Sequence, residues 1–421
     1  VIKNRKQLYN SKTKDALLIL EKGLDTARPE HFLSKFIGKK EIHTNNKSYL
    51  LSKYQKIYLV AVGKAADLMA KFIQSKINAD SGIVVIPNFK SAFSAPNFKI
   101  YRAGHPIPNK ASVAAAKSIL NLLNGVRKED LVVFLISGGA SALVCLPAGI
   151  TLEQKQELTR LLLRSGASIN EINALRKHLS QVKGGRMVKG LSCTAVSYVM
   201  SDVVGDDLTS IASGLTYCDK TTYSDCLRII RKYGLTKKIP NQVLLQLRLG
   251  AKGKIPETPK RPTIPNLIVA KNSDCLLAMK KKAASLGYKT KILAPLVGNT
   301  NSAAKKVLQA FSSRKDSCLI FGGETTVKVS GTGKGGRSQE LVLQISSTLK
   351  QEVIVASLGT DGIDGNTKEA GAIFYSIPRK DEAINYLKNN DSNSFFKKYG
   401  GLIKTGPTHT NLLDVGLILK S

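Results

Sequence analysis

Short apolar runs that do not alternate, each followed by a stretch of helical spacing, constrain this chain most. The clearest is Leu131–Ile136, Leu-Val-Val-Phe-Leu-Ile, which stops at Ser137-Gly138-Gly139. A strand with one wet face alternates apolar and polar residues; a continuous apolar run belongs to a strand covered by helices on both faces. Ile57–Val62, residues 82–86 and Thr194–Met200 read the same way. Helical periodicity occupies 64–74, 112–123, 152–164 and 171–180, and an earlier stretch over 13–36 carries Leu17, Leu20 and Leu24 on one face. The rhythm breaks over 237–266, where prolines 240, 256, 259, 262 and 265 and many lysines suggest a connection. It then resumes, with strands expected at 267–270, 290–293, 319–321 and 353–357 and helices at 273–286, 302–312 and 380–388. The expected class is α/β: two α/β domains with mostly parallel sheets covered by helices. Their expected bounds are 1–250 and 267–421, joined by a Pro/Lys-rich connection over 251–266.

The cysteines, at 145, 193, 218, 226, 275 and 318, form no Cys-x-x-Cys pair, which argues against a zinc site and a disulfide framework. No apolar run is long enough to cross a bilayer and no secretory signal is visible, so a soluble, cytoplasmic protein is expected. Lys and Arg number 64 against 30 Asp and Glu, a net charge of +34 that draws anions of every kind. Specific nucleic-acid binding is not expected, because the basic residues are spread along the chain and aromatics are only 6%.

Glycine and polar residues gather where strands end, which is where open α/β sheets bind ligands. Val62-Gly63-Lys64-Ala65 places a lysine at a helix start, among backbone N–H groups that also attract anions. In Ser137-Gly138-Gly139-Ala140-Ser141, the glycines let amides approach a phosphate and the serines add hydroxyls; no Walker A spacing occurs. Acids collect in Ser201-Asp202-Val203-Val204-Gly205-Asp206-Asp207, in Gly359-Thr360-Asp361-Gly362-Ile363-Asp364-Gly365, and at Glu324 within Gly322-Gly323-Glu324. In a chain this poor in acids, such placement suits Mg²⁺, which takes one or two carboxylates and leaves other positions to phosphate oxygens and water. Gly335-Gly336-Arg337 leaves an arginine at the start of a helix, able to fork onto a carboxylate or a phosphate. His105, in Gly104-His105-Pro106, is more simply a turn residue.

Together these segments resemble the glycerate 2-kinases whose C-terminal region is called the MOFRL domain. The resemblance runs through Val62–Ala66, Ala103–Pro108, Ser137–Leu143, Asn170–Ser180 and Lys183-Gly184-Gly185-Arg186 to Ser201–Asp207. It continues through residues 322–327, 335–341 and 359–365. It implies ATP-dependent phosphorylation of D-glycerate at its 2-hydroxyl, a divalent cation such as Mg²⁺, and an active site in the cleft between the two domains. Lys64 and Arg337 match the family's proposed active-site lysine and arginine. Substrate or nucleotide contacts are expected from Gly63, Ser137, Gly138, Gly139, Ser141, Asn173, Lys183, Gly323, Gly336 and Asp361, and metal contacts from Asp202, Asp206 and Glu324. Which cation holds substrate and which the transferring group stays open, as does the choice between monomer and homodimer.

The chain departs from the family pattern at Asn109 (usually Asp), Leu215 (usually Pro), Ser338 (usually Asn) and His409 (usually Gly); Ser338 and His409 bear on which hydroxy acid is preferred. A hydroxypyruvate reductase would show Gly-x-Gly-x-x-Gly after its first strand, but this chain shows Gly63-Lys64-Ala65-Ala66. A basic nucleic-acid-binding protein would show the aromatic signature that is missing here.

Overall fold

A computed structural model describes residues 1–312 and 314–421. Two compact units emerge: Leu33–Val269, and Val1–Phe32 together with Ala270–Ser421. Both are sheets flanked by helices, as expected. No described helix is long and apolar enough to cross a membrane.

The 33–269 unit begins with a small antiparallel hairpin, β1 (Glu41–His43) and β2 (Ser48–Leu50). Its main sheet holds β3 (Ile57–Val62), β4 (Ser81–Ile86), β5 (Phe98–Arg102), β6 (Leu131–Ile136), β7 (Thr194–Met200) and β8 (Asn266–Ala270) in the order β5-β4-β3-β6-β7-β8. The pairs β4/β5, β3/β4, β3/β6 and β6/β7 are all parallel. Every residue of β6 is buried, as its unbroken apolar run requires. From β3 the chain winds outward to β5, then returns to β6 and winds the other way. That reversal puts the topological switch point between β3 and β6, where such sheets bind ligands beyond their C-terminal ends.

The second unit's sheet holds β9 (Lys289–Asn299), β10 (Ser317–Thr326), β11 (Ile354–Gly359), β12 (Gly371–Phe374), β13 (Leu402–Ile403) and β14 (Asp414–Lys420), ordered β13-β12-β11-β14-β10-β9. Here the expectation of a mostly parallel sheet is corrected. Only β9/β10 is parallel; β14 inserts between β10 and β11 and runs against both, and β11/β12 and β12/β13 are also antiparallel. Burial on both faces yields a continuous apolar run whatever the strand direction, so direction left no trace in the pattern.

The domain bounds also differ from expectation. Residues 1–32 belong with the C-terminal part, because the apolar stripe of helix Lys14–Thr26 packs on helix Asn272–Ser285. A Cβ at Gly23 would lie 2.7 Å from Sδ of Met279, so the two helices meet at a glycine. The strand expected to open the second domain, β8, instead extends the first sheet beside β7. The proline-rich segment runs along that edge: Ser197 N donates to Pro265 O at 2.9 Å, and Asn266 Nδ2 donates to Thr216 O at 3.1 Å. Helix Asn241–Ala251 fills part of the presumed connection and packs its Val243 and Leu247 into the unit's smaller apolar cluster.

Candidate active site

In the 33–269 unit, Val62 pairs with Ile136, so the turns leaving β3 and β6 lie side by side. They are laced together. Lys64 N donates to Gly138 O at 2.8 Å, Ala65 N to Ser137 Oγ at 3.0 Å, and Ser137 N to Val62 O at 2.9 Å. Gly63, at φ +133°, has no room for a side chain: a Cβ there would sit 2.1 Å from Ser137 Oγ. Gly139, at φ +85°, lies beneath the Lys64 stem, and a Cβ on it would come within 2.9 Å of His105 Cδ2. Gly63, Lys64, Ser137, Gly138 and Gly139 are therefore assembled at the switch point, and His105 joins them.

Ser141 and Asn173 are united by the serine of Ser213-Gly214. Ser213, fully buried, shares a hydrogen bond with Ser141 (Oγ to Oγ, 2.8 Å) and donates to Asn173 Oδ1 at 3.1 Å. Ala212, Ser213 and Gly214 follow one another in the left-handed region, at φ +54°, +54° and +63°. Strained runs of this kind persist where surrounding structure over-determines them. Lys183 begins the next loop, whose Gly184 and Gly185 donate N–H groups to the carbonyls of Ser213 (3.1 Å) and Gly214 (2.7 Å). Asp202 and Asp206 lie on the half-buried turn after β7, with Asp206 at φ +55°.

The other unit builds its site around Arg337, the first residue of helix Arg337–Thr348. Its guanidinium forks onto Asp414, Nε to Oδ2 at 2.5 Å and Nη2 to Oδ1 at 3.0 Å, and Nη1 reaches Glu324 Oε1 at 2.8 Å. Burial works against the guanidinium's charge, but these two carboxylates outweigh it and hold the pKa well above its ordinary value. Asp364 accepts from the N–H groups of Ser338 (3.0 Å) and Gln339 (2.8 Å), tying the glycine-rich loop over 359–365 to the first turn of the same helix. Gly336 must be glycine, since a Cβ would fall 2.3 Å from the Asp364 carboxyl carbon. Asp361 approaches from that loop, and its charge acts on Asp414. Gly323, at φ +144°, lets β10 pass Leu296, whose carbonyl oxygen would be 2.3 Å from a Cβ there. His409, which stands where the family pattern has glycine, adopts φ +56°.

Thus Gly323, Glu324, Gly336, Arg337 and Asp361 share one unit, and the remaining expected residues share the other. Among the described residues, no group of three or more His, Cys, Asp or Glu side chains is arranged to hold a metal. Of the acids expected to bind metal, Glu324 already accepts from Arg337. Asp414 was missed. It sits in Leu412-Leu413-Asp414-Val415, and nothing near it in sequence links it to an arginine 77 residues away. Asp364 was visible as an acid in a glycine loop, but its role as a cap for a distant helix was not.

Comparison with known proteins gives two family matches. Residues 15–248 match a domain of unknown function, DUF4147, and residues 317–414 match the MOFRL family. A glycerate 2-kinase of Pyrococcus horikoshii is 39% identical over 86% of each chain. The chain belongs to the glycerate 2-kinase family with a C-terminal MOFRL domain. Another family member, a D-glycerate 2-kinase of Thermotoga maritima, is 36% identical over 96% of this chain and 98% of its own. The crystal structure of a T. maritima glycerate kinase aligns with a TM-score of 0.81 at 35% identity, covering 97% of this chain and 99% of that one. Lys64 stands just before helix Ala66–Lys76 and Arg337 opens helix Arg337–Thr348, each directly after a glycine.

Proposed function

We propose that this chain transfers the γ-phosphoryl group of ATP to the 2-hydroxyl of D-glycerate, releasing ADP and 2-phosphoglycerate. The observation that carries this reading, beside the family membership, is the lacing of the Lys64 and Ser137–Gly139 turns at the switch point of the first sheet. Phosphoryl transfer asks a protein mainly for positioning and charge neutralisation. The glycine turn offers backbone amides and Lys64 offers a positive charge to phosphate or carboxylate oxygens. Arg337, held by Asp414 and Glu324, is oriented before any ligand arrives, and its charge would act on the phosphoryl group or the glycerate carboxylate. As the hydroxyl oxygen forms its bond to the γ-phosphorus, the bond to the β,γ-bridging oxygen breaks, and the hydroxyl proton leaves to solvent.

Mg²⁺ bound with the nucleotide would supply neutralisation across the β- and γ-phosphates. Asp202 and Asp206 are the acids that would hold it, a donor set suited to an ion that fills its other positions with phosphate oxygens and water. ATP and D-glycerate are the proposed partners.

A coupled assay with D-glycerate, ATP and Mg²⁺ that separates the phosphoglycerate isomers tests this reading. Formation of 2-phosphoglycerate is expected. Formation of the 3-isomer alone, or no product, would sink it.

A further inference from the structure

Lys183 is 1% exposed, and its Nζ has no hydrogen-bond acceptor among the described residues. Its buried neighbour Lys155 is different, donating Nζ to the carbonyls of Arg176 (3.1 Å) and Leu179 (2.6 Å). Beside burial, the charges of Lys155 and Arg176 oppose that of Lys183. Arg176 is half-buried on helix Ile169–His178, one turn beyond Asn173 and on the same side of the helix. A buried ammonium without an acceptor is costly, and chains keep such a group where an anion comes to meet it.

The surroundings point the same way. Gly184, next to Lys183, is tied to the Ser213 carbonyl, and Ser213 links Ser141 to Asn173 through its hydroxyl. Backbone and helix geometry therefore attach both cations to the hydroxyl chain just outside β6. We propose that Lys183 and Arg176, flanking the Ser141–Ser213–Asn173 hydrogen-bond chain, form an anion subsite that receives one anionic oxygen cluster, a carboxylate or a phosphate, during turnover. The proposal rests on the kinase reading and adds to it a residue, Arg176, and a mode of recognition.

Burial holds Lys183 down to about 7, with Lys155 and Arg176 opposing its charge as well. An arriving anion favours the ammonium, so binding above neutral pH should draw a proton from solution.

The test uses the full chain, wild type and Lys183→Met, in thermal melts with inorganic phosphate, D-glycerate and ATP added separately. Without ligand, Lys183→Met should melt above wild type, because an uncompensated buried cation has been replaced by an apolar chain of similar length. With ligand, the shift seen in wild type should be lost, with affinity lowered by about ten- to a hundredfold, the size expected for a hydrogen bond to a charged group. Loss of the D-glycerate shift alone assigns the subsite to a carboxylate; loss of the phosphate and ATP shifts assigns it to a phosphoryl group. Should Lys183→Met fail to fold, Arg176→Gln carries the same binding test. Calorimetry of wild type at pH 8 in buffers of different ionisation enthalpy should report proton uptake.

A lower melting point with every ligand shift retained overturns the proposal, as does a wild type that none of the probes stabilises. Turnover in the coupled assay is read separately. Activity without dependence on Lys183 defeats this inference alone, whereas Lys183-dependent binding without turnover defeats the kinase reading and leaves the subsite standing.

Discussion

Arg337 and Asp414 form a two-pronged ion pair, with Nε–Oδ2 at 2.5 Å and Nη2–Oδ1 at 3.0 Å, joining the start of a helix to the start of the last strand. The side chain of Asp414 is only 12% exposed, so the pair is shielded from the screening that weakens surface bridges. Asp414 thus sets the plane of the guanidinium and leaves Nη1 to Glu324. Replacing Asp414 by Asn keeps the shape and removes the charge. Turnover is expected to fall about ten- to a hundredfold, matching the loss of a hydrogen bond between charged groups. If Asp414→Asn keeps wild-type kcat and KM, the pair is structural only.

Substitutions at Arg337 separate charge from geometry. Arg337→Ala should lower turnover by about a hundredfold or more, as for one group that stabilises developing charge. Arg337→Lys should recover little, because a single ammonium cannot fork onto Asp414 and reach Glu324 at once. Stability should drop too. A loop-edge arginine would be removable without harm, but this one leaves the mostly buried Asp414 carboxylate unpaired, and the melting temperature of Arg337→Ala should show it. An unchanged melt together with an active Arg337→Lys would contradict both expectations.

The Lys64 turn rests on Gly139, whose φ of +85° and closeness to His105 leave no space for a methyl group. Gly139→Ala should cost about 1–2 kcal/mol from the left-handed backbone alone, and the clash with His105 Cδ2 adds to that. Because Gly139 also underlies the stem of Lys64, turnover should fall further than the lost stability explains. Denaturant unfolding beside steady-state kinetics will separate the two. Gly166→Ala is the control: that glycine has φ +75° but nothing within 4 Å of a Cβ, so only its backbone penalty should appear.

How much of this was legible in sequence varies with the range of the interaction. The core strand Leu131–Ile136 and its turn could be read locally, because burial on both faces writes itself into consecutive residues. Lys64 and Arg337 could be read because glycine marks the turns before them. Partnerships across the chain could not. Helix Lys14–Thr26 announces an apolar face, but not that helix Asn272–Ser285 covers it. Strand β8 announces its burial, but not the sheet that it joins. Asp414 and Ser213 are an acid beside an apolar run and a serine in a loop until the fold sets them against Arg337 and Asn173.

Lys183 gives the pH dependence a definite sign. In the unfolded chain a lysine titrates near 10.4, whereas burial lowers Lys183 to about 7 in the folded protein, with Lys155 and Arg176 as the nearby cations. Between those two values the unfolded state binds the extra proton, so stability rises with pH across that window. Below about 7 the folded protein must carry the buried charge, and that penalty stays constant. The slope from one such group is about 1.4 kcal/mol per pH unit, an upper bound once other groups titrate. Lys183→Met lacks this contribution. Its advantage over wild type should therefore be largest at pH 6–7 and shrink by about 1–3 kcal/mol between pH 7 and pH 9. Urea unfolding of both proteins at these pH values measures it. A constant difference would mean that Lys183 titrates as an ordinary lysine and that its burial is relieved by solvent; a difference that grows with pH would reverse the sign and remove the basis for an uncompensated buried cation.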